Sequence, residues 1–182
     1  LRGGPSGPVV RGAGVTLLEA GRGPQGASGV PVALLNPYRG RSARASAFDL
    51  AALRATWALV DELEREGLDT GVYRSGVVRV ASNAKQAKAW AKREGVVPFG
   101  PEGAPSGFHA PFGGFVAPAG GWLEPERYLR ALAEGATRRG ARVRTGCAVL
   151  EVTAGLGLRT TGGALQAEQV VLCTGSSRTL GQ

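Results

Sequence analysis

Apolar positions recur along this chain with two different periods, and the alternation between them predicts the elements. Val15 to Glu19 (VTLLE) is a short apolar run, which predicts a buried strand. Residues 42–67 carry Phe48, Ala52, Ala55, Leu59 and Leu63 at three- and four-residue steps, which predicts a long amphipathic helix with these residues inward. Ser46 and Asp49 have the spacing of a capping box, and Gly67 supplies a stop. Residues 71–81 (GVYRSGVVRVA) predict a strand pair or one bulged strand. Asn83 to Glu94 predicts a polar helix with Trp90 on its apolar side, ended by Gly95.

Residues 96–121 are rich in Gly, Pro and Phe and lack helical period, so they predict a covering loop or short strands. Pro125 to Arg139 predicts a second clear helix, with Pro in its first turn, Leu129, Leu132, Ala133 and Ala136 inward, and Gly140 after it. Residues 141–152 predict one or two strands. Residues 156–160 and 164–167 predict a hairpin around Gly162-Gly163. Val170 to Cys173 predicts a fully apolar strand running into a glycine turn. The order is mixed α/β, with its two most apolar strands far apart in sequence. No repeat interrupts it.

Composition narrows the classes. At 182 residues with 43% hydrophobic and 20% charged positions, the chain can build a sizeable core and is not of disordered composition. The 30 glycines have no three-residue period, which excludes collagen. No run reaches the roughly 18 apolar residues of a membrane span, and no membrane partner is expected. The chain has no Met, begins at Leu1 and stops just after an apolar run, which predicts a fragment, a mis-started frame or a decayed gene.

The formal net charge is +8. Lys85, Lys88 and Lys92 are the only lysines, so the other 19 of the 22 basic residues are arginine, scattered from Arg2 to Arg178. Such a charge attracts phosphate, and a basic RNA-binding module is a competing reading. Cys147 and Cys173 have no zinc-type spacing and read as small core residues of a cytoplasmic protein. His109 is the only histidine and reads as a loop residue.

The candidate chemistry begins at Glu19. An acid closing an apolar strand can accept both hydroxyls of a ribose, although a solvent-exposed strand end would look the same. Upstream, Gly4 and Gly7 match the second and third glycines of G-x-G-x-x-G, with Arg2 where the first belongs. No apolar strand precedes them, and Pro8 to Gly14 is poor material for a crossover helix. Gly26-Ala27-Ser28-Gly29 offers small residues and free N–H groups to a second phosphate face.

Taken with GGWLEP at 120–125, GARV at 140–143 and VVLCTG at 170–175, these segments resemble the D-amino-acid-oxidase-like family of FAD-dependent oxidoreductases, which includes glycine and sarcosine oxidases. GASGVPVALLNPY, SGVVRVA and AGGWLEP further resemble the FAD domain of the bifunctional tRNA 5-methylaminomethyl-2-thiouridine enzymes.

The resemblance implies an incomplete Rossmann-like FAD-binding domain with part of an antiparallel substrate-domain sheet. FAD-binding parts would occupy about 1–42 and 120–182, and an inserted substrate-side part about 43–119. It implies FAD as cofactor and oxidation at a C–N bond. Hydride would pass from the carbon beside an amine to flavin N5, and the imine would then hydrolyse. The implied substrate is a small amine or amino acid, or carboxymethylaminomethyl-uridine in tRNA.

By the same resemblance Glu19 would hold the adenosine ribose and Gly4 and Gly7 the pyrophosphate. Ala27, Ser28 and Gly29 would line the flavin side, Val149 would meet adenine through its backbone, and Thr174 and Gly175 would close the pyrophosphate pocket. No residue stands out as catalytic. Arg39 and Arg41 could attract a carboxylate. A non-catalytic remnant of such a flavoprotein is the alternative.

Overall fold

The computed structural model of the chain describes residues 14–23 and 26–175. It divides into two compact units, one formed by 1–25 with 133–182 and the other by 26–132.

In the first unit, β1 (Thr16–Glu19) pairs in parallel with β8 (Arg142–Thr145), Thr16 opposite Arg142 and Glu19 opposite Thr145. Beyond it, β9 (Val149–Val152), β10 (Gly157–Thr160) and β11 (Gly163–Gln166) form an antiparallel sheet in the order β11-β10-β9. The expected hairpin forms, with its turn at Thr161-Gly162, one residue before the expected Gly162-Gly163.

The second unit holds two antiparallel sheets. One is β2 (Ala33–Leu35), β7 (Gly121–Leu123) and β3 (Val72–Tyr73), with β7 central. The other is β4 (Val77–Val80), β6 (Gly114–Ala117) and β5 (Val97–Phe99), with β6 central. Residues 71–81 therefore give two strands that do not pair with one another: Gly76, at φ 73°, swings the chain from one sheet into the next. The stretch 96–121 supplies short strands and loop, as its composition predicts.

Helix α1 (Ala47–Arg65) starts on the predicted capping box: the Ser46 hydroxyl accepts from the Asp49 amide, and the Asp49 carboxylate accepts from the Ser46 amide at 2.9 Å. It ends on Gly67 at φ 78°, where Gly67 and Leu68 amides donate back to the Glu64 and Leu63 carbonyls.

Its buried face differs from the expected one. Leu63 is buried as expected, but its buried companions are Leu53 and Val60, whereas Phe48 is 79% exposed and Ala52, Ala55 and Leu59 face water. Two stripes on this helix satisfy the three-four spacing, and tertiary packing chooses between them: Leu63 clusters with Leu68 and Ala131.

Helix α2 (Ala84–Trp90) is capped by the Asn83 side-chain oxygen Oδ1, which accepts from the Gln86 amide, and buries Trp90. Helix α3 (Pro125–Arg138) begins at Pro125 as predicted. Ala131 and Gly135 are its most buried residues past the first turn, with Tyr128 and Leu132 half-buried, while Leu129 and Ala136 are exposed. The small residues permit closer approach than the expected leucine-led face.

The core lies in the second unit. Tyr38, Val77, Trp90, Phe115 and Ala117 cluster, with Tyr38 and Trp90 meeting Phe115 edge-on at 5.7 and 5.2 Å. Leu63, Leu68 and Ala131 form a second cluster, with Leu132 against it.

Two apolar runs of the first unit are not buried as the sequence predicts. Val15, just before β1, and Leu17 on it are 57% and 50% exposed, since a two-stranded sheet leaves its faces uncovered among the described residues. Residues 170–173 form no strand; Val171 is 83% exposed, and Cys173 is exposed rather than in a core, whereas Cys147 is buried. An apolar run becomes a strand only when a neighbouring strand takes its N–H and C=O groups, and none does so here among the described residues.

Candidate functional site

Glu19 lies at the carboxyl end of β1, the position at which open α/β sheets bind ligands. Parallel pairing with β8 fixes its backbone. The Glu19 carbonyl accepts from the Cys147 amide at 2.9 Å, and the Gly21 carbonyl accepts from the Gly146 amide at 2.8 Å. The turn after the strand then orients the side chain: the Gly21 amide donates to Glu19 Oε1 at 2.8 Å. Among the described residues this leaves Oε2 without a protein donor, on a half-buried residue. A carboxylate anchored by one oxygen and open at the other suits a vicinal diol, which offers two hydroxyl donors.

The hydrogen bonds that tie Glu19 to Gly146-Cys147 bring Val149, at the start of β9, into the same part of the first unit. Val149 is half-buried and sits opposite Thr160. Thr174 and Gly175 are exposed, Gly175 at φ 62°, and no hydrogen bond joins them to Glu19 or Val149. Ala27, Ser28 and Gly29 belong to the second unit, in the 3-10 turn Gly26–Gly29, and all three are exposed. A Cβ on Gly26 would meet nothing within 4 Å, so the backbone of this turn is open to a ligand. Gly4 and Gly7 lie outside the described residues. Of the groups an FAD site needs, the ribose acceptor fits on this geometry.

The paired glycines before α3 have a structural task as well. Gly121 is the first residue of β7, and a Cβ there would stand 2.3 Å from the Tyr73 carbonyl oxygen and 3.1 Å from the Trp57 ring. Trp57 in turn donates to the Ala119 carbonyl at 2.9 Å.

One polar network escaped the sequence reading. Arg127 donates to both oxygens of Asp69, to the Tyr73 hydroxyl and to Glu124, beside a cleft of about 160 Å³. Its partners hold the guanidinium firmly charged, and Arg127 holds the Asp69 carboxyl below the usual range. With its donors engaged, Arg127 is not available to receive a substrate carboxylate. Only the Glu124/Arg127 spacing on the helix start was a local signal; Asp69 and Tyr73 arrive by tertiary folding. Arg39 is likewise engaged, at 2.7 Å from Asp49, whereas Arg41 is exposed and pairs with no carboxylate. His109 is an exposed loop residue.

The family model described as FAD dependent oxidoreductase, DAO, matches residues 9–182. Among solved structures, glycine oxidase from Geobacillus kaustophilus is 26% identical with a TM-score of 0.73, over 92% of this chain and 50% of that one. Glycine oxidase from Bacillus cereus is 22% identical with a TM-score of 0.65, over 87% and 49%. An L-amino acid deaminase from Proteus myxofaciens, solved with anthranilate, is 21% identical with a TM-score of 0.63, over 86% and 39%. The chain thus spans half or less of the length of these structures. No curated protein matches it.

Proposed function

The chain belongs to the DAO family of FAD-dependent oxidoreductases, and from that premise we propose that it is the FAD-binding portion of an enzyme oxidising a C–N bond in an amino acid or similar small amine. The observation that carries the reading is the open Glu19 carboxylate at the end of a parallel strand, in a chain matched by the family model over residues 9–182. The substrate class is supported by the relatives, which are named as acting on glycine and L-amino acids.

Glu19 Oε2 would accept from the adenosine ribose while the Gly21 amide holds Oε1 in place. The open backbone of residues 26–29 would face the flavin side, and Val149, Thr174 and Gly175 would contact adenine and pyrophosphate, with Gly4 and Gly7. When bound, FAD supplies the two-electron acceptor for the C–H beside the amine, and the imine so formed takes up water to give a carbonyl compound and an amine or ammonia. The chain's own contribution is placement: each fixed donor and acceptor removes freedom that the reaction would otherwise have to restrict. No residue of this chain is assigned a proton-transfer role. A cytoplasmic location accords with two free cysteines.

The test is anaerobic addition of candidate substrates to the FAD-loaded chain, followed by its visible flavin band. Bleaching by glycine or another amino acid supports the proposal. Bleaching only by carboxymethylaminomethyl-uridine would replace the amino-acid class with the finer substrate that the sequence resemblance implies. Retained flavin that no amine bleaches would overturn catalysis by this chain while leaving cofactor binding intact.

A further inference from the structure

We propose that the second unit carries a binding surface for single-stranded nucleic acid, formed by the lysines of α2, the arginine loop 39–44 and the phenylalanine-lined cleft beside them. The proposal stands whether or not the chain binds FAD.

The chain's three lysines all fall within 85–92. Lys85 and Lys88 lie one turn apart on α2, and Lys92 follows in the turn after it; all three are exposed. The segment 84–93, AKQAKAWAKR, contains no acid. The helix is fastened to the loop by its buried side: Gln86 and Trp90 donate to the Arg41 carbonyl at 3.1 and 3.0 Å, and Arg93 donates to the Ser42 carbonyl at 3.3 Å. These bonds occupy backbone oxygens and leave the Arg41 and Arg44 side chains in solvent.

The loop is held from below as well, by Arg79 donating to the Tyr38 and Gly40 carbonyls at 2.5 and 2.9 Å. A hydrogen-bonded loop presents its cations at a defined place.

Part of the charge elsewhere is cancelled locally. Arg74, Arg127, Arg130, Arg138 and Arg159 each face a carboxylate. Among the described residues Arg41, Arg44, Lys85, Lys88 and Lys92 pair with no carboxylate, nor do the dispersed Arg54, Arg65 and Arg142, and Asp49, Glu94 and Glu102 are the acids nearest the patch in sequence. What sets the patch apart is grouping: its five cations fall in two short segments fastened to each other by hydrogen bonds.

Lys88 also lines an open cleft of about 360 Å³ with Ala87, Ala91, Phe99 and Phe112, and Phe112 is 44% exposed. Cations beside exposed rings are what a strand of nucleotides needs: phosphates meet the first and an unstacked base the second. An anionic membrane would instead favour large apolar residues on the exposed helix face. The large apolar residue of α2, Trp90, is only 3% exposed.

The test is fluorescence anisotropy of a labelled oligouridylate of about 12 nucleotides, within the span such grooves cover, titrated at several salt concentrations. Four cation contacts give a log–log salt slope near −3 for a single strand. The triple variant K85Q/K88Q/K92Q should lose about 2 from that slope. F112A should weaken binding about tenfold with the slope unchanged. The charge-matched triple R54Q/R65Q/R142Q, also at exposed positions, should leave the slope as it was.

Absence of binding would overturn the proposal, as would equal losses in the two triples or indifference to F112A. Tighter binding to phosphatidylserine vesicles, with the same lysine dependence, would overturn it in favour of a membrane surface.

Discussion

Replacing Gly121 with alanine tests whether β7 lies where the fold places it. The strand is bordered on both sides, by β2 and β3, so it cannot move away from one neighbour without entering the other. The new methyl carbon would stand 2.3 Å from the Tyr73 carbonyl oxygen and 3.1 Å from Trp57. The first contact is against backbone, which cannot swing aside as a long side chain would. Overpacking of this kind costs roughly 1–3 kcal/mol. Alanine recovers about 0.5–1 kcal/mol by restricting the unfolded chain. The net loss is about 1–2 kcal/mol, which for a chain of this size lowers Tm by roughly 2–8 °C.

Thermal unfolding followed by circular dichroism reads it directly. The near-ultraviolet signal should change too, because Tyr73 stacks on Trp122 at 3.9 Å across the same pair of strands. Gly100→Ala is the control: a Cβ there meets nothing within 4 Å, and its φ of −82° suits alanine. A Gly121→Ala chain as stable as the parent, with its aromatic spectrum intact, would refute the placement of β7.

Other outcomes follow from the same structure. Ser46→Ala removes the α1 cap and should cost about 1 kcal/mol in urea unfolding. Ser46 hydrogen bonds, above all, hold the Asp49 carboxyl below its ordinary value, and Arg127 does the same for Asp69. Both carboxyls are depressed in the folded state, so their stabilisation is present above the unfolded value of about 4 and is lost as pH falls through the lower folded values. The urea midpoint should therefore drop on acidification below about pH 4, and Asp69→Asn should remove its share of that drop. A thiol reagent should modify exposed Cys173 in the native chain and reach buried Cys147, which donates to Thr160 Oγ1, only on unfolding. Equal reaction rates at the two would contradict the burial difference.

Local signals in the sequence carried much of this fold. The Ser46/Asp49 box, the Pro125 start and the Gly67 and Gly140 stops are written in neighbouring residues, and helices α1 and α3 begin and end on them. What the sequence left open was which face turns inward. On α1 both stripes have the right period, and only tertiary packing, such as Leu63 against Leu68 and Ala131, selects Leu53 and Val60 over Phe48 and Leu59.

Residues 170–173 show the opposite limit: apolarity alone does not make a strand without a partner to accept its hydrogen bonds. In the candidate site, Glu19 was legible because an acid at a strand end is a local pattern. The Gly21 amide that orients it, and the Asp69–Tyr73–Glu124–Arg127 network, depend on turns and long-range contacts that no spacing encodes.

The measurement that bears most directly on the central claim is titration of the chain with FAD and with FMN, which lacks the adenosine, followed by flavin fluorescence. If Glu19 receives the adenosine ribose, FAD binds more tightly than FMN, and Glu19→Ala weakens FAD about tenfold or more, as loss of a charge-assisted hydrogen bond does. The same substitution leaves FMN binding unchanged. No binding of FAD, or equal FAD affinity in the Glu19→Ala chain, would contradict the account.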